Sequence, residues 1–346
     1  MSGFDELLSK LPGLGAKLGR ESSSKEDIWD ALSKKKQVAL RSYYDIWRKN
    51  IRDVARTGVV LSNGWAFSTL SGLASYEAFI SSDKDISLLY DNRSGEIEST
   101  NDAVKDKVGT ALSGAIIYGY GNLVREAQYI EQALAVRNMT KHGRVYLIDC
   151  SIFYYLFALS SINPLRRFLK ESRISAVLDD YIGNGHSDNR LSDFRNHLGA
   201  TSSVFHIFLG NTFCNVEPGV LKALLGKAVL PGDVIIAEYA QYNDDFFLAL
   251  DGDHVSEMAS RAAADLFHVS EAEVTVNIET PAPFSKICNI RVWDKFERRE
   301  LNFRSMLRRR YVQNELLDGE YELLSTRSIV EGKARLDAYR RLAKHD

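Results

Sequence analysis

Proline and cysteine are scarce: six prolines and three cysteines stand in 346 residues. Cys150, Cys214 and Cys288 are odd in number and far apart. That fits a reduced cytosolic protein with buried thiols better than a disulfide frame, so a cytoplasmic location is expected. Charge of one sign is also missing. The formal balance is −2, which gives no general pull toward nucleic acid or an anionic membrane. No apolar run approaches the ~18 residues of a membrane span. The first twenty residues lack a basic start followed by a continuous apolar stretch, so no signal peptide is expected. The histidines are dispersed, which predicts no metal site. Neither a GxSxG nor a Walker motif occurs, and no internal repeat is visible.

What remains is ordinary globular material, 45% hydrophobic and 26% charged, in a chain long enough for one large or two modest domains. Residues 1–110 read as a helical N-terminal region, a cap that lines a substrate pocket or serves association. Ser23 with Glu26 makes a capping box, so a helix is expected to start near Lys25. Leu40, Tyr43, Tyr44, Trp47, Ile51 and Val54 recur at helical spacing, with Gly58 as a stop. A second helical stretch covers about Gly64–Ile80.

From 111 to 250 strands and helices alternate. Ala115–Tyr118, Val145–Ile148, Val204–Leu209 and Val234–Ala237 are short apolar runs that read as buried parallel strands. Ile174–Leu178 is a further strand. Leu123–Leu134, Phe153–Phe168 (interrupted at Asn163-Pro164) and Val220–Val229 read as helices. Strands separated by helices predict a parallel sheet with right-handed crossovers, a doubly wound α/β core. From 251 to 346 the pattern changes. Val255–Phe267 reads as a helix, Glu273–Glu279 and Ile287–Trp293 as strands, Phe303–Leu317 as a helix, Glu320–Thr326 as a strand, and a basic helix ends the chain. These late elements are expected to complete the sheet antiparallel or to form a substrate lid.

The strand ends carry the chemistry. Gly119-Tyr120-Gly121-Asn122 lies between the first buried strand and a helix. Glycines there let backbone N–H groups approach a negative ligand group, whether a pyrophosphate or the carboxylate of S-adenosylmethionine (SAM). Asp149 ends the second strand, where a carboxylate accepts both ribose hydroxyls; a helix cap on Ser151 is its alternative role. Asp180, with Asp179 competing, ends the third strand, and Tyr181 beside it can support an adenine ring. Gly210 and Asn211 begin the segment after the fourth strand. Asn215 closes that segment and either orients an amino-acid-like substrate or caps the following helix. Tyr239, past the fifth strand with Glu238, is placed as a pocket-lining catalytic candidate. Arg298, Arg304 and Arg308–Arg310 form a local basic face, read first as a solvated helix face.

Phe208-Leu-Gly-Asn-Thr-Phe-Cys-Asn215 resembles the post-strand motif of the histidine-specific SAM-dependent methyltransferase family. Asp180-Tyr181 is similar to that family's acidic–aromatic pair, and Val145–Ser151 to its second strand. The likeness covers roughly 110–330. It implies a Rossmann-like class I methyltransferase sheet, parallel strands plus late antiparallel strands, with SAM as cofactor. By it, Gly119, Gly121 and Asn122 would sit at the methionine end, Asp149 at the ribose, Asp180 and Tyr181 at the adenine, and Asn215 at the substrate carboxylate. The expected activity is methyl transfer to a small-molecule or peptide amine, with nucleic acid and membrane not expected as partners and homo-oligomerisation left open. Ile117 stands where the family carries an acid, and no acid is in register near Ser305. That motivates a second reading, a non-catalytic SAM-binding or scaffolding protein. A third, an NAD(P)-dependent oxidoreductase, is disfavoured by Val124 at the third fingerprint position and by the long spacing from Gly121 to Asp149.

Overall fold

The computed structural model describes residues 32–61, 64–82, 94–109, 111–121, 124–134, 138–156, 158–159, 173–181, 190–198, 203–209, 212–216, 218–240, 253–282, 285–309, 319–329 and 334–343. The capping box at Ser23 and Glu26 lies outside them. The first described helix, α1 (Lys34–Ala55), is capped by Ser33, whose hydroxyl accepts from the Lys36 amide at 3.3 Å. Its buried residues, Leu40, Tyr44, Trp47, Ile51 and Ala55, recur every three or four positions and make one apolar stripe. Gly58 follows in the left-handed region, φ +76°. Next come β1 (Val60–Leu61), α2 (Gly64–Phe67), α3 (Leu70–Ser82) and α4 (Ser94–Val108).

The central sheet is built from β2 (Ala111–Tyr118), β3 (Asn138–Asp149), β4 (Arg173–Leu178), β5 (Ser203–Phe208), β6 (Val234–Ala240), β10 (Tyr321–Ile329) and β11 (Ala334–Arg341). Its order is β10-β11-β6-β5-β2-β3-β4. The five strands from β6 to β4 are parallel, while β11 runs antiparallel to both β6 and β10. This is the Rossmann-like class I arrangement, with parallel strands and a late antiparallel pair. Both faces of β2 are covered, which is why its apolar run is continuous rather than alternating. Ile117 points into one core with Leu147, Ile207 and Ile236, roofed by Val104 of α4 and by Tyr129 and Ile130. Ile116 and Tyr118 point into the other with Ile148 and Phe208, roofed by α6 (Arg190–His197) and α7 (Pro218–Ala228). Tyr129 ends α5 (Val124–Tyr129), which runs into a π-helical turn, Ile130–Leu134. The chain winds outward from β2 to β4, then returns to β5 on β2's other side. The order therefore reverses at β2, and the crevice for a ligand opens above the β2 and β5 carboxyl ends.

Two helices expected from the sequence are strands. Phe303–Leu317 does not start a helix: its described residues belong to β9 (Arg299–Arg309). There Leu301, Phe303 and Ser305 are buried while Asn302 and Arg304 are exposed, a period of two. The basic C-terminal segment is β11, inserted between β6 and β10. Its arginines favour a helix weakly in isolation. Pairing on both edges and burial of Leu336, Ala338 and Tyr339 decide otherwise.

A second sheet, ordered β1-β9-β8-β7, uses β7 (Val274–Ala282) and β8 (Ser285–Asp294). One face shares a core with α1, α2 and α8 (Asp253–Phe267): Trp47, Ile51, Trp65, Ala262, Phe267, Ile290 and Phe303 meet there. The N-terminal helices and the later strands thus stabilise each other. Arg48, buried on α1, donates to the Asp265 and Leu266 carbonyls at 2.6 and 3.2 Å, where a cation meets the negative end of α8. Among the described residues no helix is long and apolar enough to cross a membrane.

Candidate functional site

The glycine loop after β2 turns back on two left-handed residues, Gly119 (φ +59°) and Gly121 (φ +50°). The Gly119 amide donates to the Ile148 carbonyl at 2.8 Å, which holds the loop against β3. A Cβ on Gly119 would lie 2.6 Å from the Tyr181 hydroxyl and 2.9 Å from Cγ2 of Thr212. Glycine there lets three strand ends converge: the loop after β2, Tyr181 after β4 and Thr212 after β5.

Asp149 is the centre of the convergence. One carboxylate oxygen accepts from the Gly121 amide at 3.2 Å and the other from the Ser151 amide at 2.8 Å. Burial outweighs these bonds and pushes its acid up to about 6. The cap read from the sequence as its alternative role is present at Ser151, and the same side chain also bonds the glycine loop. The chain stays close by through the Asp179 amide, which donates to the Asp149 carbonyl at 3.0 Å. Tyr181 is buried, its ring 5.5 Å from that of Tyr118. Burial first, then Cys150, Asp149 and Asp180, raise its phenol well above the ordinary value and keep it protonated. Asp180 contributes to this cluster as a neighbour of Tyr181, Cys150 and Tyr43.

After β5 the backbone makes a 3₁₀ turn, Thr212–Asn215, fixed by the Thr212 hydroxyl donating to the Leu209 carbonyl at 2.7 Å. Asn215 closes the turn, and β9 packs against it. The second sheet therefore reaches the side of the crevice to which the sequence assigned the substrate. Asn122, Gly210 and Asn211 lie outside the described residues. Tyr239 does not lie past the fifth strand: β6 extends through Ala240, and Tyr239 stands within it, paired with Arg335 of β11. Its hydroxyl donates to the buried carboxylate of Asp337, which also accepts from Tyr339 at 2.7 Å. Pairing with β11 turns this tyrosine to a sheet-internal partner.

The N-terminal region is bonded to the strand ends. The Ser151 hydroxyl donates to the Phe67 carbonyl at 2.8 Å, and Ser68 donates to the Cys150 carbonyl at 3.3 Å. These tie α2 to the end of β3. Trp65 on α2 donates to the Ser305 hydroxyl on β9 at 2.8 Å.

Two residues enter the site that strand-end reasoning passed over. The Tyr43 hydroxyl, from α1, is buried and has as electrostatic neighbours Cys150, Asp180, Asp179 and Asp149. Tyr120, between the two glycines, is 1% exposed, with Asp149, Tyr155, Cys150 and Tyr43 around its hydroxyl. Neither hydroxyl has a hydrogen-bond partner among the described residues. Helical periodicity marks Tyr43 as core, and nothing in a periodicity says that a core tyrosine leaves its hydroxyl unsatisfied. Among the described residues, no three of His, Cys, Asp and Glu are grouped to hold a metal ion.

No family model matches the chain, and no curated protein matches it. Among solved structures, similar ones include the magnesium protoporphyrin IX methyltransferase of Synechocystis PCC 6803 with bound SAH. It is 10% identical over 80% of this chain and 96% of that one, with a TM-score of 0.40. A SAM-dependent methyltransferase from Anabaena variabilis ATCC 29413 is 9% identical over 86% and 94%, with a TM-score of 0.37. DhpI in complex with SAM and HEP is 12% identical over 79% and 99%, with a TM-score of 0.34. The likeness is loose, and no residue role is carried over from these proteins.

Proposed function

We propose that the chain is a class I SAM-dependent methyltransferase that transfers a methyl group to a small-molecule or peptide amine. The observation that carries this is Asp149. It is a buried carboxylate at the end of the second strand of a doubly wound sheet, beside two left-handed glycines and at the point where strand order reverses. Its oxygens accept from the Gly121 and Ser151 amides, and the Cys150 amide also lies close enough to lower its acid. A carboxylate has about four lone-pair sites, so these amides leave acceptor capacity for a ribose hydroxyl. That fits the nucleoside of SAM.

When bound, SAM supplies an activated methyl group on its sulfonium sulfur. The chain's own part is orientation, the main requirement for an in-line displacement. Backbone around Gly119 and Gly121 receives the methionine end, Asp149 the ribose, Asp180 with Tyr181 the adenine, and Asn215 the substrate. The Phe208–Asn215 segment supports a distant tie to the histidine-specific family. A neutral amine must lose a proton on methylation, to a side chain or to water. Isothermal titration with SAM and S-adenosylhomocysteine (SAH) tests the reading: micromolar binding is expected, and no binding of either at millimolar ligand overturns it.

One observation favours a second reading, a SAM-binding protein without catalysis. Ile117, where an acid would be expected, is wholly buried in β2 and offers nothing to a ligand. Transfer of a labelled methyl group to candidate amines or peptides decides between the two.

A further inference from the structure

The site proposed above has an acceptor for a ribose in Asp149. A diol also has lone pairs of its own, because a hydroxyl that donates its hydrogen still accepts. A carboxylate alone takes only the two hydroxyl hydrogens, and the oxygens' lone pairs need donors.

Two unspent donors have Asp149 among their electrostatic neighbours, and one of them, Tyr120, adjoins the Gly121 amide that bonds this carboxylate. Tyr120 reaches the cluster from the glycine loop, and its hydroxyl is buried without a partner among the described residues. Tyr43 reaches it from α1, and its hydroxyl is likewise buried without a described partner. Burying a hydroxyl with nothing to bond costs roughly 1–3 kcal/mol, a cost that a bound ligand oxygen would remove. Both phenols are pushed above their ordinary value, by burial first and then by surrounding groups that include Asp149. They therefore remain protonated, and each keeps a hydrogen to donate to a ligand oxygen. Their elements are held apart from one another: Tyr120 belongs to the loop pinned to β3 through Gly119, and Tyr43 to a helix anchored on α8 through Arg48.

We infer that Tyr43 and Tyr120 are ribose-binding residues, donating to the oxygens of the diol whose hydrogens Asp149 accepts. This rests on the nucleoside reading of the site and deepens it. It makes α1 part of the cofactor site, so that cofactor binding draws the N-terminal region onto the sheet. It also makes the site selective for an intact ribose over a deoxyribose, because the deoxy sugar leaves a donor and the carboxylate short of a partner.

The test uses the full chain and its Tyr43→Phe and Tyr120→Phe variants. SAH, 5′-methylthioadenosine and the 2′-deoxy and 3′-deoxy forms of the latter are titrated by calorimetry, and melting temperatures are taken without ligand. Each variant is expected to bind SAH and 5′-methylthioadenosine about 3- to 10-fold more weakly, the worth of one hydrogen bond. With the deoxy sugar that lacks the matching hydroxyl, the loss disappears for that variant, the signature of a direct coupling. Melting temperatures without ligand are expected to hold or rise, since each variant removes an unsatisfied hydroxyl. A melting temperature that falls assigns the tyrosines a structural role and overturns the inference. So does SAH affinity equal to wild type, or an equal loss with every sugar. If the unaltered protein binds none of these nucleosides, the methyltransferase reading itself fails. Normal binding by unaltered protein with indifferent variants defeats only the ribose assignment.

Discussion

Gly119 and Gly121 look equivalent in a motif and are not equivalent in space. Both hold a left-handed backbone, so an alanine at either costs about 1–2 kcal/mol. At Gly121 that is the whole cost, because the nearest atom to a new Cβ is 3.9 Å away on Tyr154. At Gly119 the methyl would also press on Tyr181 and Thr212. Gly119→Ala is therefore expected to lower the melting temperature and SAH affinity more than Gly121→Ala, in thermal melts and calorimetry. Equal effects would mean that Tyr181 yields freely. Asp149 makes a second prediction at this scale. Only its ionised form accepts two hydroxyls, and its acid lies near 6. SAH affinity should thus weaken about tenfold for each pH unit below 6, and the Asp149→Asn variant should bind weakly with a flat profile. The same shift works against the fold. The folded protein holds this proton more tightly than the unfolded chain, so Asp149 lowers stability as pH rises from the ordinary carboxylate range toward 6.

At the scale of elements, the parallel strands are joined by a buried polar chain behind the site. Arg195 of α6 makes a two-pronged ion pair with Asp233 at 2.6 and 2.7 Å, and Asp233 also accepts from the Val204 and Leu230 amides. Nε2 of His206 lies 3.3 Å from Asp233, and Nδ1 lies 2.9 Å from the Tyr118 hydroxyl. A carboxylate only accepts, so Nε2 carries the proton and Tyr118 donates to Nδ1. Asp233→Ala leaves Arg195 buried without its counter-charge and is expected to cost about 3–5 kcal/mol in denaturant unfolding. Burial holds His206 below its ordinary value despite Asp233. The unfolded chain then takes up this proton first, so stability is lost as pH falls below the ordinary histidine range of about 6.5. Asp233, held below the ordinary carboxylate value by His206 and Arg195 against its burial, adds its loss only at lower pH. A His206→Gln variant should lose the first phase of acid destabilisation and keep the second.

At the scale of the whole molecule, the N-terminal helices, expected from the sequence to form a cap, share one core and the Trp65–Ser305 bond with the second sheet. Ser305→Ala leaves the buried Trp65 N–H unsatisfied, a loss of about 1–3 kcal/mol in a urea melt. Since β9 also packs on the Thr212–Asn215 turn, the same variant should weaken binding of a methyl acceptor more than binding of SAH. Equal weakening would separate the cap from the substrate side.

The chain itself determined the parallel core. Runs such as Ala115–Tyr118 are apolar at every position, and a strand covered on both faces needs just that, whatever covers it. It also determined which residues end those strands, and hence Gly119, Gly121, Asp149, Asp180 and Tyr181 as candidates, because a sheet's carboxyl edge is where its ligands lie. Tertiary structure decided the rest. Phe303 and the arginines of 334–341 carry no local preference strong enough to choose strand over helix, and only partners distant in sequence, β8 in one case and β6 with β10 in the other, supply the hydrogen bonds that settle it. The same pairing sets Tyr239 within β6 and bonds its hydroxyl to Asp337. Tyr43 lies more than a hundred residues from Asp149 in sequence and beside it in space. A hydroxyl's lack of a partner is a property of everything folded around it, so no pattern along the chain could report it.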